Sequence, residues 1–242
     1  QLDGRPELRL VGMSAPLDAA PIAHFLGEGT VVTSAGRSYP VAIRHLASPG
    51  DRERDRAVAT AVAAAVAEST GDVLVFLPGV GEIRRAAAAL SALVERERLV
   101  VMELYGDLPA EEQDAVLRRA DRRKIVLSTN VAESSVTIEN VTAVVDTGLV
   151  RVLRFDPGVG LDRLEISRIS RASADQRTGR AGRTAPGICL RLWSEHDDHA
   201  LRSSEEPEVE RVDLSRAVLE LRAWGEPDAS RFAWFEAPPV AA

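Results

Sequence analysis

Lysine is almost missing from this 242-residue chain: Lys124 is the only one, and the other basic residues are arginine. A phosphate-cradling P-loop needs Gly-Lys-Ser/Thr, and Lys124 is followed by Ile125, so no P-loop exists here. No Asp-Glu-x-His or Asp-Glu-x-Asp string occurs, so the carboxylates that usually accompany a P-loop and hold magnesium are missing too. The single cysteine, Cys189, excludes an internal disulfide and fits a reducing, cytoplasmic compartment. No apolar run is long enough to span a membrane, and the N-terminal residues lack a signal-peptide layout. Aromatics make up 4%, too sparse for an aromatic cage. The net charge of −7 argues against a generic basic coat for nucleic acid and leaves room for a local groove.

What is present is ordinary for a soluble globular protein: 45% hydrophobic and 28% charged residues, enough to bury one sizeable core and part of another. Short apolar runs alternate with helical patterns. Strands are expected at Thr30–Ser34 and Pro40–Leu46, around a turn at Ala35-Gly36-Arg37. Ala57–Glu68 carries a helical valine stripe at 58, 62 and 66, with Gly71 expected to close it. Val73–Leu77, Leu99–Leu104, Lys124–Ser128, Ala143–Asp146 and Ile188–Trp193 read as buried strands. Helices are expected at Glu82–Leu93 and from Pro109 to about Arg119. Strand and helix alternating at this spacing predict an α/β doubly wound parallel sheet. Leu149–Phe155 and Leu161–Ile169 flank Asp156-Pro157-Gly158-Val159-Gly160, a hairpin signal. Its arginines 151, 154, 163 and 168 form either a basic flank or a solvated face. Val212–Trp224 is amphipathic, with Leu214, Val218, Leu221 and Trp224 expected in the core.

Three stretches carry possible chemistry. In Ser173–Arg183 (SADQRTGRAGR), Ser173 and Gln176 match a capping pair, and Gln176, Arg180 and Arg183 fall on one helical face. Gly179 and Gly182 remove side-chain bulk beside the arginines, so that the backbone can approach a ligand or a second domain. Two guanidinium forks with an amide one turn earlier suit a polyphosphate; the plainer reading is a solvated arginine-rich helix. In Ser128–Ile138 (STNVAESSVTI), hydroxyls and amides follow a strand end, where phosphates of a nucleic-acid backbone can be held, or where an ordinary Ser/Thr turn can form. In Glu195-His196-Asp197-Asp198-His199, two histidines three apart suggest zinc, but nothing completes a site, and a polar loop or helix start is the better account. His24 and His45 read as structural.

QRTGRAGR resembles motif VI of superfamily 2 helicases, and Gln176 at its head points to the DEAH/RHA branch. The companion motifs follow in family order. Ser14-Ala15 resembles motif III, with Pro16 where the family has threonine; Phe76-Leu77-Pro78-Gly79 resembles motif IV; STNVAESSVTI resembles motif V. The FLPGVGEI wording and the Phe155-Asp156-Pro157 hairpin look most like the bacterial HrpB branch of that family. The resemblance implies a RecA-like second lobe over residues 28–200. It implies a remnant of the preceding lobe at 1–27, and a connector with the start of a winged-helix region at 201–242.

It also implies roles, residue by residue. Gln176, Arg180 and Arg183 would act on the γ-phosphate of ATP, whose Mg²⁺ is held mainly by the missing first lobe. Gly179, Gly182 and Leu117 would lie at the nucleotide, Leu117 standing where relatives stack an aromatic on the base. Ser128, Thr129, Asn130, Ser134 and Arg154 would contact single-stranded nucleic acid, expected to be RNA. Ser14 and Ala15 would couple the lobes. The implied activity is an ATP-dependent helicase, with this segment inactive alone. A non-catalytic RecA-like module that binds nucleic acid or a partner is the alternative.

Overall fold

The computed structural model describes residues 7, 9–13, 19–33, 38–134 and 136–238. The expected coupling residues Ser14 and Ala15, with Pro16, and the turn at Ala35-Gly36-Arg37 lie outside them. The chain divides into two compact units, 1–35 and 36–242. In the first, helix α1 spans Ala19–Phe25 and ends where Gly27 adopts φ +83°. Residues 30–33 are irregular and not the expected strand: their valines 31 and 32 are exposed, so no packed face holds them extended.

The second unit is built on six parallel strands. In chain order it runs β1 (Val41–His45), α2 (Arg54–Glu68), β2 (Asp72–Phe76), α3 (Val80–Ala89), α4 (Ser91–Glu97), β3 (Val100–Leu104), α5 (Ala110–Leu117), β4 (Lys124–Ser128), α6 (Val131–Ser134) and β5 (Val141–Asp146). There follow a hairpin of β6 (Leu149–Asp156) and β7 (Leu161–Arg168), then α7 (Arg171–Gly179), β8 (Gly187–Arg191), α8 (Glu195–His199) and α9 (Ser215–Ala223). The sheet order is β1-β8-β5-β2-β4-β3, and β6 and β7 pair antiparallel apart from it. This is the expected α/β, doubly wound, RecA-like arrangement.

Alternation within each strand divides the core in two. Val73, Val75, Ile125, Leu127, Ala143 and Val145 face one side, where Val58, Val62, Ile83 and Leu90 cover them. Leu74, Phe76, Val126, Val144 and Cys189 face the other, against Val116, Ala132, Ile138 and Ala181. The residues of greatest interest, Ala132 after β4 and Ala181 after α7, therefore share the second face.

Some boundaries differ from expectation. The helix expected over Glu82–Leu93 is two helices, broken at Leu90, whose backbone N–H bonds back to Ala86 and Ala87. Gly71 does not cap α2. Ser69 does, and a side chain at Gly71 would meet Asn140 O at 2.3 Å, so glycine is required there by close packing. Trp224, expected in the core, is 87% exposed, while Leu221 alone of that stripe is buried. Among the described residues, no helix is long and apolar enough to cross a membrane.

The only lysine has a structural use. Lys124 is 1% exposed, and its Nζ donates to Val116 O at 2.9 Å and Arg118 O at 2.8 Å, the otherwise orphaned carbonyls at the end of α5. Its backbone N–H donates to buried Asp72 Oδ1 at 2.8 Å, and Nζ lies 3.7 Å from Asp72 Oδ2. Lys124 thus fixes the helix end that carries Leu117. Lys124→Met leaves Asp72 buried without its counter-charge and should lower unfolding stability by about 3 kcal/mol. Urea melts of the two proteins measure this, and an unchanged midpoint would contradict the role.

Candidate functional site

Helix α7 starts three residues earlier than the capping pattern suggests. Its cap is Ser170, whose Oγ accepts from Ser173 N at 3.1 Å, so Ser173 is an interior first-turn residue and not the cap. The remaining N-terminal donors meet residues beyond β8: Arg171 N reaches Arg202 O at 2.8 Å and Ala172 N reaches Ser203 O at 3.2 Å. Ser170 N donates to Glu205 Oε1 at 2.8 Å, which puts a carboxylate at the positive end of the helix. Ser173 Oγ, released from capping, donates to Glu133 Oε2 at 2.7 Å.

The buried face of this helix is led by Arg177, which is 1% exposed. Its Nε donates to Glu133 Oε2 at 2.8 Å, and its NH1 to Asp146 Oδ1 at 3.0 Å and Leu149 O at 3.3 Å. The guanidinium carbon lies 4.8 Å from the centre of the Phe76 ring. Burial disfavours the charge on Arg177, but Asp146 and Glu133 outweigh it and raise its pKa. Burial pushes the Asp146 carboxyl up against the opposing pull of Arg177. Asp146 Oδ1 also accepts Gly148 N at 2.8 Å, which fixes the turn into the hairpin. Arg191 adds a second layer, bonding Asp198, Asp175 and Thr178 at 2.8–3.0 Å. Burial pushes the Cys189 thiol up to about 12, so it is an unreactive core residue.

The three motif VI residues are not presented on one continuous α-helical face. The α-helix ends at Gly179, and Arg180–Gly182 form a single 3-10 turn. Gln176 is half-buried, Arg180 is buried and Arg183 is exposed. The two arginines nevertheless converge on one segment. Arg180 NH1 and NH2 donate to the carbonyls of Val136 and Glu133, and Arg183 NH1 donates to Thr137 Oγ1 at 2.6 Å. Burial, and secondarily the neighbouring Arg183 charge, lowers the Arg180 pKa to about 10, so it stays charged at neutral pH. Gly182 serves an internal approach and not a ligand: a side chain there would meet Tyr39 O at 2.6 Å and Val41 Cγ2 at 2.8 Å. Gly179 is exposed, with open space where its side chain would be.

The residues expected at nucleic acid separate into two groups. Ser128 is fully buried, its hydroxyl 3.1 Å from Leu104 O and 2.9 Å from Thr129 O, so it ties β4 to β3 and is not offered to a ligand. Thr129 is half-buried and Asn130 and Ser134 are exposed, on the turn leading through the short α6. Leu117 lies at a shallow depression of about 580 Å³ shared with Asp114, Arg118, Arg119, Thr137 and Glu139. Thr137 is the residue Arg183 holds, so Leu117 and the arginines border one region.

The hairpin is less basic than its sequence suggests. Arg151 pairs with Glu82, Arg163 with Asp156 and Arg168 with Asp197. Arg154 pairs with Glu206, whose hydrogen bond raises its pKa. A groove of about 750 Å³ connects hairpin residues such as Arg154 and Ile166 to Asn130, Glu133 and Ser173. The carboxylates of α8 are spent internally, Asp197 on Ser48, Ser194 and Arg168, and Asp198 on Arg191 and Trp193. Among the described residues no group of His, Cys, Asp and Glu could hold a metal ion.

Arg177, Glu133 and Asp146 were passed over in the sequence. The available signal was a charged residue set among buried ones: Asp146 ends the Val141–Val145 run, and Arg177 sits on the buried side of α7 one turn from Ala174.

The description "Helicase conserved C-terminal domain" matches residues 56–185. The chain is 42% identical over 238 residues to the ATP-dependent RNA helicase HrpB of Escherichia coli (strain K12), covering 98% of this chain and 29% of that protein. It is 39% identical over 247 residues to the pre-mRNA-splicing factor ATP-dependent RNA helicase prp22 of Schizosaccharomyces pombe, covering 98% of this chain and 21% of that protein. The crystal structure of the Escherichia coli DEAH/RHA helicase HrpB superposes with a TM-score of 0.92 at 42% identity, over 99% of this chain and 31% of that one. The chain thus spans less than a third of the length of these relatives. With the RecA-like sheet and both motif segments in place, the chain belongs to the helicase conserved C-terminal domain family and resembles its DEAH/RHA helicases.

Proposed function

We propose that this chain is the second RecA-like lobe of an ATP-dependent RNA helicase, supplying arginine fingers to a nucleotide gripped by a first lobe and holding the nucleic-acid backbone. In this reading residues 1–27 end the preceding lobe, 28–200 form the second lobe, and 201–242 are a connector and the start of a winged-helix region. The observation that carries it is the convergence of Arg180 and Arg183 on the 133–137 segment, directly after Thr129 and Asn130. The groups proposed for nucleotide and for nucleic acid are therefore parts of one hydrogen-bonded unit.

The donor set suits phosphate oxygens. Arginine side chains point to one segment, and the carboxylate of Glu133, whose charge acts on Arg180, is already engaged by Ser173 and Arg177. ATP phosphates fit such a site, whereas Mg²⁺ does not, and the first lobe is its place. Bound ATP supplies the anhydride whose γ-phosphoryl group is transferred to water. Arg180 and Arg183 neutralise the negative charge that develops there, and Gln176 orients the attacking water. Arg180 is held by two carbonyls, which leaves other guanidinium N–H groups for the phosphate. Thr129, Asn130 and Ser134 contact the backbone without reading sequence, and a small shift of the 133–137 segment moves them together. Leu117 offers the base an apolar contact in place of a stacked ring, so base selectivity should be loose.

Two outcomes follow. The purified chain alone should hydrolyse no ATP, because the phosphate-gripping half is not among its residues; clear turnover in a phosphate-release assay would overturn the division of labour. In a protein carrying both lobes, Arg180→Ala should cut turnover by roughly 10³-fold or more, as finger loss does. A rate near wild type would remove the finger assignment.

A further inference from the structure

The groove beside the hairpin is lined by five arginines, at positions 151, 154, 168, 202 and 211. Three of them are committed: Arg151 to Glu82, Arg168 to Asp197, and Arg211 NH1 to the carbonyl of Leu153 at 2.6 Å. The other two share the carboxylate of Glu206, and Arg154 Nε also lies 3.8 Å from Glu165 Oε2. Arg154 grips Glu206 with both terminal nitrogens, NH2–Oε2 at 2.5 Å and NH1–Oε1 at 3.4 Å, and Arg202 NH1 lies 3.6 Å from the same Oε2. Two guanidinium groups on one oxyanion form the arrangement that binds a phosphate. Here the oxyanion belongs to the protein.

The surroundings fit an exchangeable occupant. The side chains of Arg154 and Arg202 remain 38% and 76% exposed, so solvent and ligands reach them from the groove that also holds Asn130. The chain carrying Glu206 is anchored without it: Arg202 O and Ser203 O accept from the first two residues of α7, and Glu205 Oε1 from the cap residue Ser170. Glu206 can therefore change rotamer and release Arg202 and both terminal nitrogens of Arg154, which keeps only its longer Nε contact to Glu165, while the cap on α7 stays in place. Its hydrogen bond to Arg154, and the charges of both arginines, hold its carboxyl below the usual range, so it competes as an anion at neutral pH.

Resting on the reading of this chain as a nucleic-acid-gripping lobe, we propose that Arg154 and Arg202 form a backbone-phosphate site in the hairpin groove. Glu206 is its resident anion until single-stranded nucleic acid displaces it. The site extends the contact surface from Asn130 along the hairpin and is indifferent to base sequence.

The test is fluorescence anisotropy of a labelled single-stranded oligoribonucleotide with the 242-residue chain, comparing wild type, Glu206→Gln, Arg154→Gln/Glu206→Gln and Glu95→Gln. Glu95→Gln, at an exposed position on α4, changes net charge equally without touching the groove. Glu206→Gln should bind about fivefold tighter than wild type, the scale of one partly exposed ion pair. The gain should vanish when Arg154 is also removed, and Glu95→Gln should bind as wild type does. Binding by Glu206→Gln no tighter than by Glu95→Gln, or a gain that survives loss of Arg154, would overturn the site while leaving the nucleic-acid reading intact. Failure of both wild type and Glu206→Gln to bind any oligonucleotide would overturn that reading and the site with it. Should Glu206→Gln melt well below wild type by circular dichroism, Arg202→Gln decides: weaker binding supports the site, and unchanged binding overturns it.

Discussion

Arg177 can be buried only because Glu133 and Asp146 converge on its guanidinium from two different parts of the chain. Desolvating a charge costs several kcal/mol, and well-placed opposite charges and hydrogen bonds are needed to offset the loss. Here Glu133 comes from the turn after β4, Asp146 from the end of β5 and Arg177 from α7, so the three elements are held at fixed distances by a single side chain. Breaking such a contact leaves a buried charge unmatched, at a cost of roughly 3–5 kcal/mol. The arrangement therefore ties the motif V turn to the motif VI helix, because displacing either one strips a buried charge of its partner.

The sheet explains why these groups can meet. β2, β4 and β5 are parallel and in adjacent register, so Phe76, Ser128 and Asp146 end at one edge. In open parallel sheets that edge is where ligands bind. Helix α7 lies over it with Arg177 pointing in, and the chain then turns through Arg180 and Arg183 back to residues 133–137. The hairpin departs from the same edge: Asp146 Oδ1 bonds Gly148 N, and Leu149 O accepts from Arg177. Residues 202–213 close the assembly, capping α7 on one side and bonding Phe155 N and Leu153 O of the hairpin on the other.

Much of this was legible in the sequence. Near-continuous apolar runs gave β2, β4 and β5 to within a residue or two, because strands buried on both faces leave little polar interruption. The hairpin followed from Asp156–Gly160, whose turn residues admit little else. Local signals failed where a distant partner decides the outcome. Ser173 has a capping pattern, yet Ser170 caps the helix because Glu205 and residues 202–203 meet its other donors. Ser128 reads as a polar ligand at a strand end and is instead spent on Leu104. Gly182 reads as room for a ligand, and the room is taken by Tyr39 and Val41. The hairpin arginines read as either a basic flank or a solvated face; most of their acidic partners lie between 29 and 69 residues away, beyond any local pattern, and one lies across the turn.

If Arg177 and Glu133 join the nucleotide and nucleic-acid elements into one unit, their effects on turnover must not add. The direct measurement is RNA-stimulated ATP hydrolysis by a protein carrying both lobes, as wild type, Glu133→Gln, Arg177→Lys and the double variant. Each single change should reduce stimulation by about tenfold or more, and the double should be little worse than either, giving a coupling energy above ~1 kcal/mol. Losses that multiply in the double variant, or singles that retain wild-type stimulation, would contradict the account.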